Sequence, residues 1–235
     1  MSLEAVVFDW GGTLTPWHDI DVRDTWRRIA SSVDLERAEE IAETLFDAER
    51  AAWRRAGHEH RSFTLDEVLA EAGVTPSEAV LAACYDAWEP HTFTDPEAPA
   101  LLANLRRRGI RIGVLSNTAW SREWHERVFS RDGVLGLIHG AVYTSEIPWV
   151  KPHPEAFRAA LAAVGVADPA SCVFVGDRPY DDIHGARSFG MRAVLVPNSA
   201  VPSYDGAEPD AVIGRLSELL PLIDSWRGSP DAPNR

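Results

Sequence analysis

Three consecutive apolar residues, Val6-Val7-Phe8, lead into Asp9-Trp10-Gly11-Gly12-Thr13. An apolar run without alternation fits a strand buried on both faces of a parallel sheet. The glycines that follow let the backbone turn tightly beside the end of that strand. The period then becomes helical: Val22 to Val33 and Leu35 to Ala56 carry apolar residues at helical spacing, with Ile41, Leu45, Ala48 and Ala52 on one face and Gly57 as a stop. Thr64 with Glu67, and Thr75-Pro76 with Glu78, have capping-box spacing, so further helices are expected from Leu65 to Ala72 and from Pro76 to Glu89, the second stopped by Pro90. Residues 16–94 form an expected all-helical block behind the first strand.

From Asp95 onward the pattern alternates. A helix capped by Asp95-Pro96 runs to Arg108, Gly109 ends it, and Ile110 to Leu115 follows as a strand. A helix near Arg122 to Phe129, a strand near Ala141 to Thr144, a helix from Pro154 to Val164 ended by Gly165, and a strand Cys172 to Val175 continue the series. A helix over Asp182 to Phe189, a strand Ala193 to Val196 and a last helix from Leu216 to Trp226 complete it. Residues 229–235 lie in a Gly/Ser/Pro/Asp/Asn-rich stretch expected to be a flexible tail. Such alternation implies an α/β fold, a parallel sheet with right-handed crossovers.

Composition narrows the partners. With 235 residues and 45% hydrophobic content, the chain can bury one large core together with a smaller insert. A net charge of −13 argues against nucleic acid or an anionic membrane as partner, so a small anionic substrate needs a local positive site. Cys84 and Cys172 are far apart and have no metal-ligand spacing, as expected of reduced, buried thiols. No signal-peptide pattern precedes Val6 and no apolar run reaches membrane-spanning length, so the expected location is the cytoplasm. Among 23 basic residues there is a single lysine, Lys151, which marks a place that wants a compact ammonium rather than a planar fork.

In a parallel sheet the loops after the strands gather on one edge, where ligands bind. Here those loops are Asp9 to Thr13, Ser116-Asn117-Thr118, Lys151-Pro152, and Gly176 to Asp182. A carboxylate, a hydroxyl, an ammonium and an acidic cluster therefore meet in one crevice. These four segments, in this order and with a helical insert after the first, resemble the signature of the haloacid dehalogenase superfamily over essentially the whole chain. The resemblance implies a Rossmann-like, doubly wound core made of residues 1–15 and 95–228, with residues 16–94 as an all-helical cap domain. It also implies Mg²⁺ and hydrolysis of a small phosphorylated molecule through an aspartyl intermediate. By position, Asp9 resembles the nucleophile, Ser116 the hydroxyl that holds a phosphoryl oxygen, and Lys151 the charge-balancing lysine. Asp9, Asp177, Asp182 and the carbonyl of Gly11 match the metal ligands. Gly12, Thr13, Asn117 and Arg178 lie where substrate oxygens bind. The chemistry agrees: a carboxylate attacks an anionic phosphorus centre only where metal and ammonium neutralise their repulsion.

One position departs from the pattern. Phosphatases of this family carry a second aspartate two residues after the nucleophile as general acid and base, and here Gly11 stands in its place. Four readings follow. In the first, His18 or Asp19 at the entry to the helical block supplies the proton. In the second, the chain is a dehalogenase, although those relatives have tyrosine at this position and lack the full acidic cluster. In the third, it is a phosphonatase, although those need a cap lysine and the helical block has none. In the fourth, it binds phosphate and metal in a regulatory role with slow or no turnover. Arg54, Arg55, His58, His60 and Arg61 form a basic knot at a helix end, expected to meet the anionic tail of a substrate; a helix C-terminus also favours cations without one. Trp10 and Trp17 flank the reactive loop and are expected to shape the pocket. His153 is expected to start a helix. The sequence leaves the substrate and the oligomeric state open.

Overall fold

The computed structural model describes residues 3–197 and 202–228. Six strands form one sheet: β1 (Ala5–Phe8), β2 (Arg111–Ser116), β3 (Gly140–Tyr143), β4 (Cys172–Gly176), β5 (Arg192–Leu195) and β6 (Ala211–Val212). Their order is β3-β2-β1-β4-β5-β6, and every pair is parallel. β1 is central, with Phe8 opposite Val114 on one side and Val175 on the other. The apolar run of β1 is explained by its two faces. Val6 and Phe8 pack into one cluster with Leu101, Leu102, Leu105, Val114 and Val175, while Ala5 and Val7 pack into another with Phe157, Leu161, Val164 and Phe174. Helices cover both faces, so no side of the strand is left to water.

α1 (Val22–Val33), α2 (Ala38–Glu59), α3 (Leu65–Glu71) and α4 (Glu78–Trp88) follow β1 and bury a third cluster around Trp26, Ile29, Leu45, Ala52 and Leu69. The core helices are α5 (Ala98–Arg107), α6 (Arg122–Arg131), α7 (Pro154–Val164), α8 (Gly185–Phe189) and α9 (Leu219–Gly228). α1 and α7 have the expected bounds, and Thr64 and Glu67 close the expected capping box. No described helix is long and apolar enough to cross a membrane. Both cysteines are buried and unpaired.

Several local expectations are corrected. Gly57 does not stop α2: the helix passes through it to Glu59, and His60 ends it in the left-handed region at φ 52. The buried face of α2, from Ala38 to Ala56, packs against its neighbours and outweighs an exposed glycine that costs about 1 kcal/mol in a helix. Ser77, not Thr75, caps α4, because its hydroxyl accepts from the Val80 N–H. Residues 179–184 form a π-helical turn before α8, since the Asp182 and Ile183 N–H groups both donate to the Arg178 carbonyl. β6 has only two residues, too few for any hydrophobic period to reveal. The stretch 229–235 lies outside the described residues.

Candidate active site

Asp9 follows the central strand directly, and its N–H donates to the Val175 carbonyl at 2.8 Å, which carries the β1–β4 ladder one residue beyond the strand. The chain then turns within a few residues: the Gly12 N–H donates to the Thr15 carbonyl and the Thr15 N–H to the Trp10 carbonyl. Gly12 has φ +86, and a Cβ there would sit 2.3 Å from Asp177 Oδ2. At the end of β4, a Cβ on Gly176 would sit 2.4 Å from Asp182 Oδ2. Two missing side chains thus let two carboxylates close on the end of β1.

Lys151 links them. Its Nζ donates to Asp9 Oδ1 at 2.5 Å and to Asp182 Oδ1 at 2.6 Å, with the side chain 1% exposed. Asp182 Oδ2 accepts the Arg178 N–H at 2.9 Å, which fixes the carboxylate within its turn. Asp9, Asp177 and Asp182 are all buried, each with a carboxylate oxygen within 4.8 Å of the others. Burial lifts the Asp9 carboxyl to about 7; Lys151 opposes that rise, and the Asp182 and Asp177 charges add to it. Burial alone would lower the Lys151 ammonium, but Asp182 and Asp9 outweigh it and hold the group above its ordinary range. Three buried carboxylates facing one ammonium make a set of hard oxygen donors with excess negative charge, the chemistry that fits a divalent cation such as Mg²⁺. Thr13 Oγ1 is buried in the same loop with no hydrogen-bond partner, a donor free for a ligand oxygen.

The other named residues fall into three groups. Ser116 ends β2, buried, on the same edge as Asp9. Asn117 uses both ends of its amide on Lys151: Oδ1 accepts the Lys151 N–H at 2.8 Å and Nδ2 donates to the Lys151 carbonyl at 3.1 Å. Arg178 is partly exposed beside Asp181. His18 packs its ring against His91, centroids 5.6 Å apart, where the helical insert returns to the core, and Asp19 is exposed. The basic knot is dispersed. Arg54 and His58 face solvent, and Arg55 pairs with Glu71 at 2.8 Å. His60 and Arg61 instead join the insert to the segment before Lys151: the Val150 N–H donates to the His60 carbonyl, and the Arg61 guanidinium lies over the Trp149 ring. Trp10 packs edge-on to Trp124 and His125, whereas Trp17 is exposed. His153 caps α7 by accepting the Glu155 N–H.

Sequence reasoning missed two supports. Buried His125 sits against Thr118 Oγ1 through Nε2 at 3.1 Å, and Thr118 and Thr144 exchange hydrogen bonds, so the loop after Ser116 is held from behind. Burial and then Arg122 lower His125 to about 3, so it stays neutral. The sequence reading expected a helix near Arg122 to Phe129 but singled out no residue in it, and nothing in the chain order marks Thr118 as the partner of His125. The second support, Gly176, is visible as the small residue at the end of a strand just before Asp177.

A family model described as haloacid dehalogenase-like hydrolase matches residues 3–190. A phosphoserine phosphatase from Thermus thermophilus is 37% identical over 174 residues, which is 72% of this chain and 66% of that protein, slightly under two thirds of its length. A glyceraldehyde 3-phosphate phosphatase from Methanopyrus kandleri is 28% identical over 231 residues, covering 94% of this chain and 97% of that one. Among solved structures, the L-2-haloacid dehalogenase from Xanthobacter autotrophicus superposes with a TM-score of 0.66 at 22% identity, covering 97% of this chain and 99% of that one; at that identity the likeness concerns the fold alone.

Proposed function

This chain belongs to the haloacid dehalogenase-like hydrolases, and from that premise we propose that it is a Mg²⁺-dependent phosphatase acting on a small phosphorylated metabolite through Asp9. The observation that carries this reading is Lys151 Nζ bonded at once to Asp9 and Asp182, with Asp177 beside them. Full-length relatives named as phosphatases add to it.

Asp9, Asp177 and Asp182, with the Gly11 carbonyl, are the residues to hold Mg²⁺, which when bound neutralises charge on the phosphoryl group and on Asp9. Asp9 attacks phosphorus, and an aspartyl phosphate forms as the bond to the leaving oxygen breaks. Lys151 keeps one Asp9 oxygen fixed, so the nucleophile does not rotate away from the line of attack. Asn117, by clamping the Lys151 backbone, holds the ammonium at that spot. Ser116 and Thr13 offer hydroxyls to phosphoryl oxygens that gain charge in the transition state. Water then hydrolyses the aspartyl phosphate and restores Asp9. The helical insert serves as the cap that selects the substrate.

The test is steady-state hydrolysis of para-nitrophenyl phosphate beside sugar, nucleotide and acyl phosphates, with Mg²⁺ and with EDTA, using Asp9→Asn as the blank. Turnover that needs the metal and vanishes in the variant supports the reading. One observation favours a second reading, a slow or silent phosphate-and-metal binder: position 11 has no side chain. Mg²⁺-dependent thermal stabilisation by inorganic phosphate without turnover on any ester would favour it.

A further inference from the structure

We infer that His60, delivered by the helical insert, is the proton donor and acceptor that makes up for the missing side chain at position 11. The inference rests on the phosphatase reading and adds the identity of its acid and base.

Beside the nucleophile there is room: an added Cβ on Gly11 meets no atom within 4 Å. Something else must bring a proton to the leaving oxygen, and the two groups at the insert's entry are otherwise engaged, His18 edge-on to His91 and Asp19 in solvent. His60 differs from every other residue of the insert. It is the one described non-glycine residue with positive φ, at a helix end where glycine or asparagine is the unstrained choice. Non-glycine residues persist in this region when their surroundings hold them, and they gather at functional sites. The holding contacts here lead straight to the active lysine. The Val150 N–H donates to the His60 carbonyl at 3.1 Å, the Ser62 N–H donates to the Pro148 carbonyl at 3.2 Å, and Arg61 pairs with Trp149 in an antiparallel bridge. Lys151 is the next residue.

The ring, meanwhile, turns to the acidic loop. His60 Nε2 lies 3.5 Å from Tyr180 Oη, three residues after Asp177 in sequence. Tyr180 is braced by stacking on His184 and by the edge of Tyr204. The Asp181 carboxyl, next to Tyr180, feels the charges of both Lys151 and His60. The charged and titratable groups around His60 are therefore Tyr180 and Asp181 from the π-helical turn, with His153 and Arg61 from the other wall.

The step balances. As Asp9 displaces the alcohol, the P–O bond breaks and the leaving oxygen takes the proton of the His60 imidazolium, giving neutral imidazole, free alcohol and aspartyl phosphate. In the second half, neutral His60 takes a proton from the water that attacks phosphorus; Asp9 leaves as carboxylate, inorganic phosphate forms, and the imidazolium is restored.

The test compares kcat on the fastest alkyl phosphomonoester of the panel with kcat on para-nitrophenyl phosphate, whose leaving group needs little acid help. His60→Asn suits the left-handed backbone and keeps the carbonyl that binds Val150, so it removes the imidazole while leaving the joint in place. The expected result is a loss of about 10²-fold or more on the alkyl ester and a much smaller loss on the aryl ester. Adding Gly11→Asp to His60→Asn should recover most of the alkyl activity. Equal losses on both esters, or no loss on either, overturns the assignment, as does failure of Gly11→Asp to recover the alkyl rate. The phosphatase reading fails on a separate result, turnover that survives Asp9→Asn.

Discussion

The edge of the sheet and the helical insert carry charge in opposite ways. At the edge, Asp9, Lys151, Asp177 and Asp182 are all buried, and Lys151 bonds to both Asp9 and Asp182. In the basic knot of the insert, Arg54 and His58 face water and Arg55 spends its charge on Glu71, while His60 and the exposed Arg61 meet the segment 148–150. Buried charges must be partnered because water no longer solvates them, so their geometry is narrowly fixed. Surface charges have water as a substitute, and their positions say little about function. The proposed chemistry thus rests on charges whose displacement is costly, and the exposed charges of the insert carry no comparable constraint.

The contrast breaks most visibly at Lys151. Lys151→Met leaves two buried carboxylates facing each other without their shared cation, so it should destabilise the fold by about 3–5 kcal/mol in denaturant unfolding, with loss of turnover. A variant as stable as the parent would mean that the edge is not under the constraint described. Gly12→Ala should act next, since its Cβ would meet Asp177 Oδ2 and the backbone has positive φ. A loss of about 1–3 kcal/mol is expected, together with a smaller rise in melting temperature on adding Mg²⁺. An undiminished rise would place the metal elsewhere.

The Asp9 carboxyl sharpens the comparison through pH. Its folded value is lifted to about 7, so the protonated form favours folding; that contribution is fully present below about pH 4 and fades as pH climbs through about 7. Metal-free wild-type protein should therefore fall further behind Asp9→Asn in melting temperature between about pH 5 and pH 8, and Mg²⁺ should reverse the trend. A constant gap across that range would contradict it. The smallest effect belongs to the insert. Arg54→Ala, in open solvent, should leave the melting temperature unchanged and kcat/KM within about twofold, because surface changes away from buried contacts do little.

What could be read in advance follows the same division. Strand ends gather on one edge by topology, so Asp9, Ser116, Lys151, Asp177 and Asp182 could be placed together from chain order before any coordinates. The solitary lysine was a further sign, because every other cation in the chain is arginine or histidine. Elsewhere, local signals competed and tertiary contacts decided. Gly57 carries the usual mark of a helix end, but α2 continues until the backbone before Lys151 holds His60 in place. Thr75 and Ser77 both offer a capping hydroxyl, and it is Ser77 that accepts the Val80 N–H. The π-helical turn carries Asp182 to Lys151, a contact between residues 31 positions apart that no local pattern encodes. The basic knot is close in sequence, yet the helix turns Arg54, Arg55 and His58 to solvent or Glu71, and the left-handed turn after it carries His60 and Arg61 to the segment 148–150.

The most direct test of the central claim is borohydride trapping during Mg²⁺-dependent turnover of a phosphomonoester, followed by peptide mass analysis of the segment containing Asp9. An acyl phosphate on Asp9 is reduced to an alcohol, so the account predicts homoserine at position 9 in trapped wild-type protein and none without substrate. Sustained turnover with an unmodified Asp9, or reduction at another carboxylate, would contradict it.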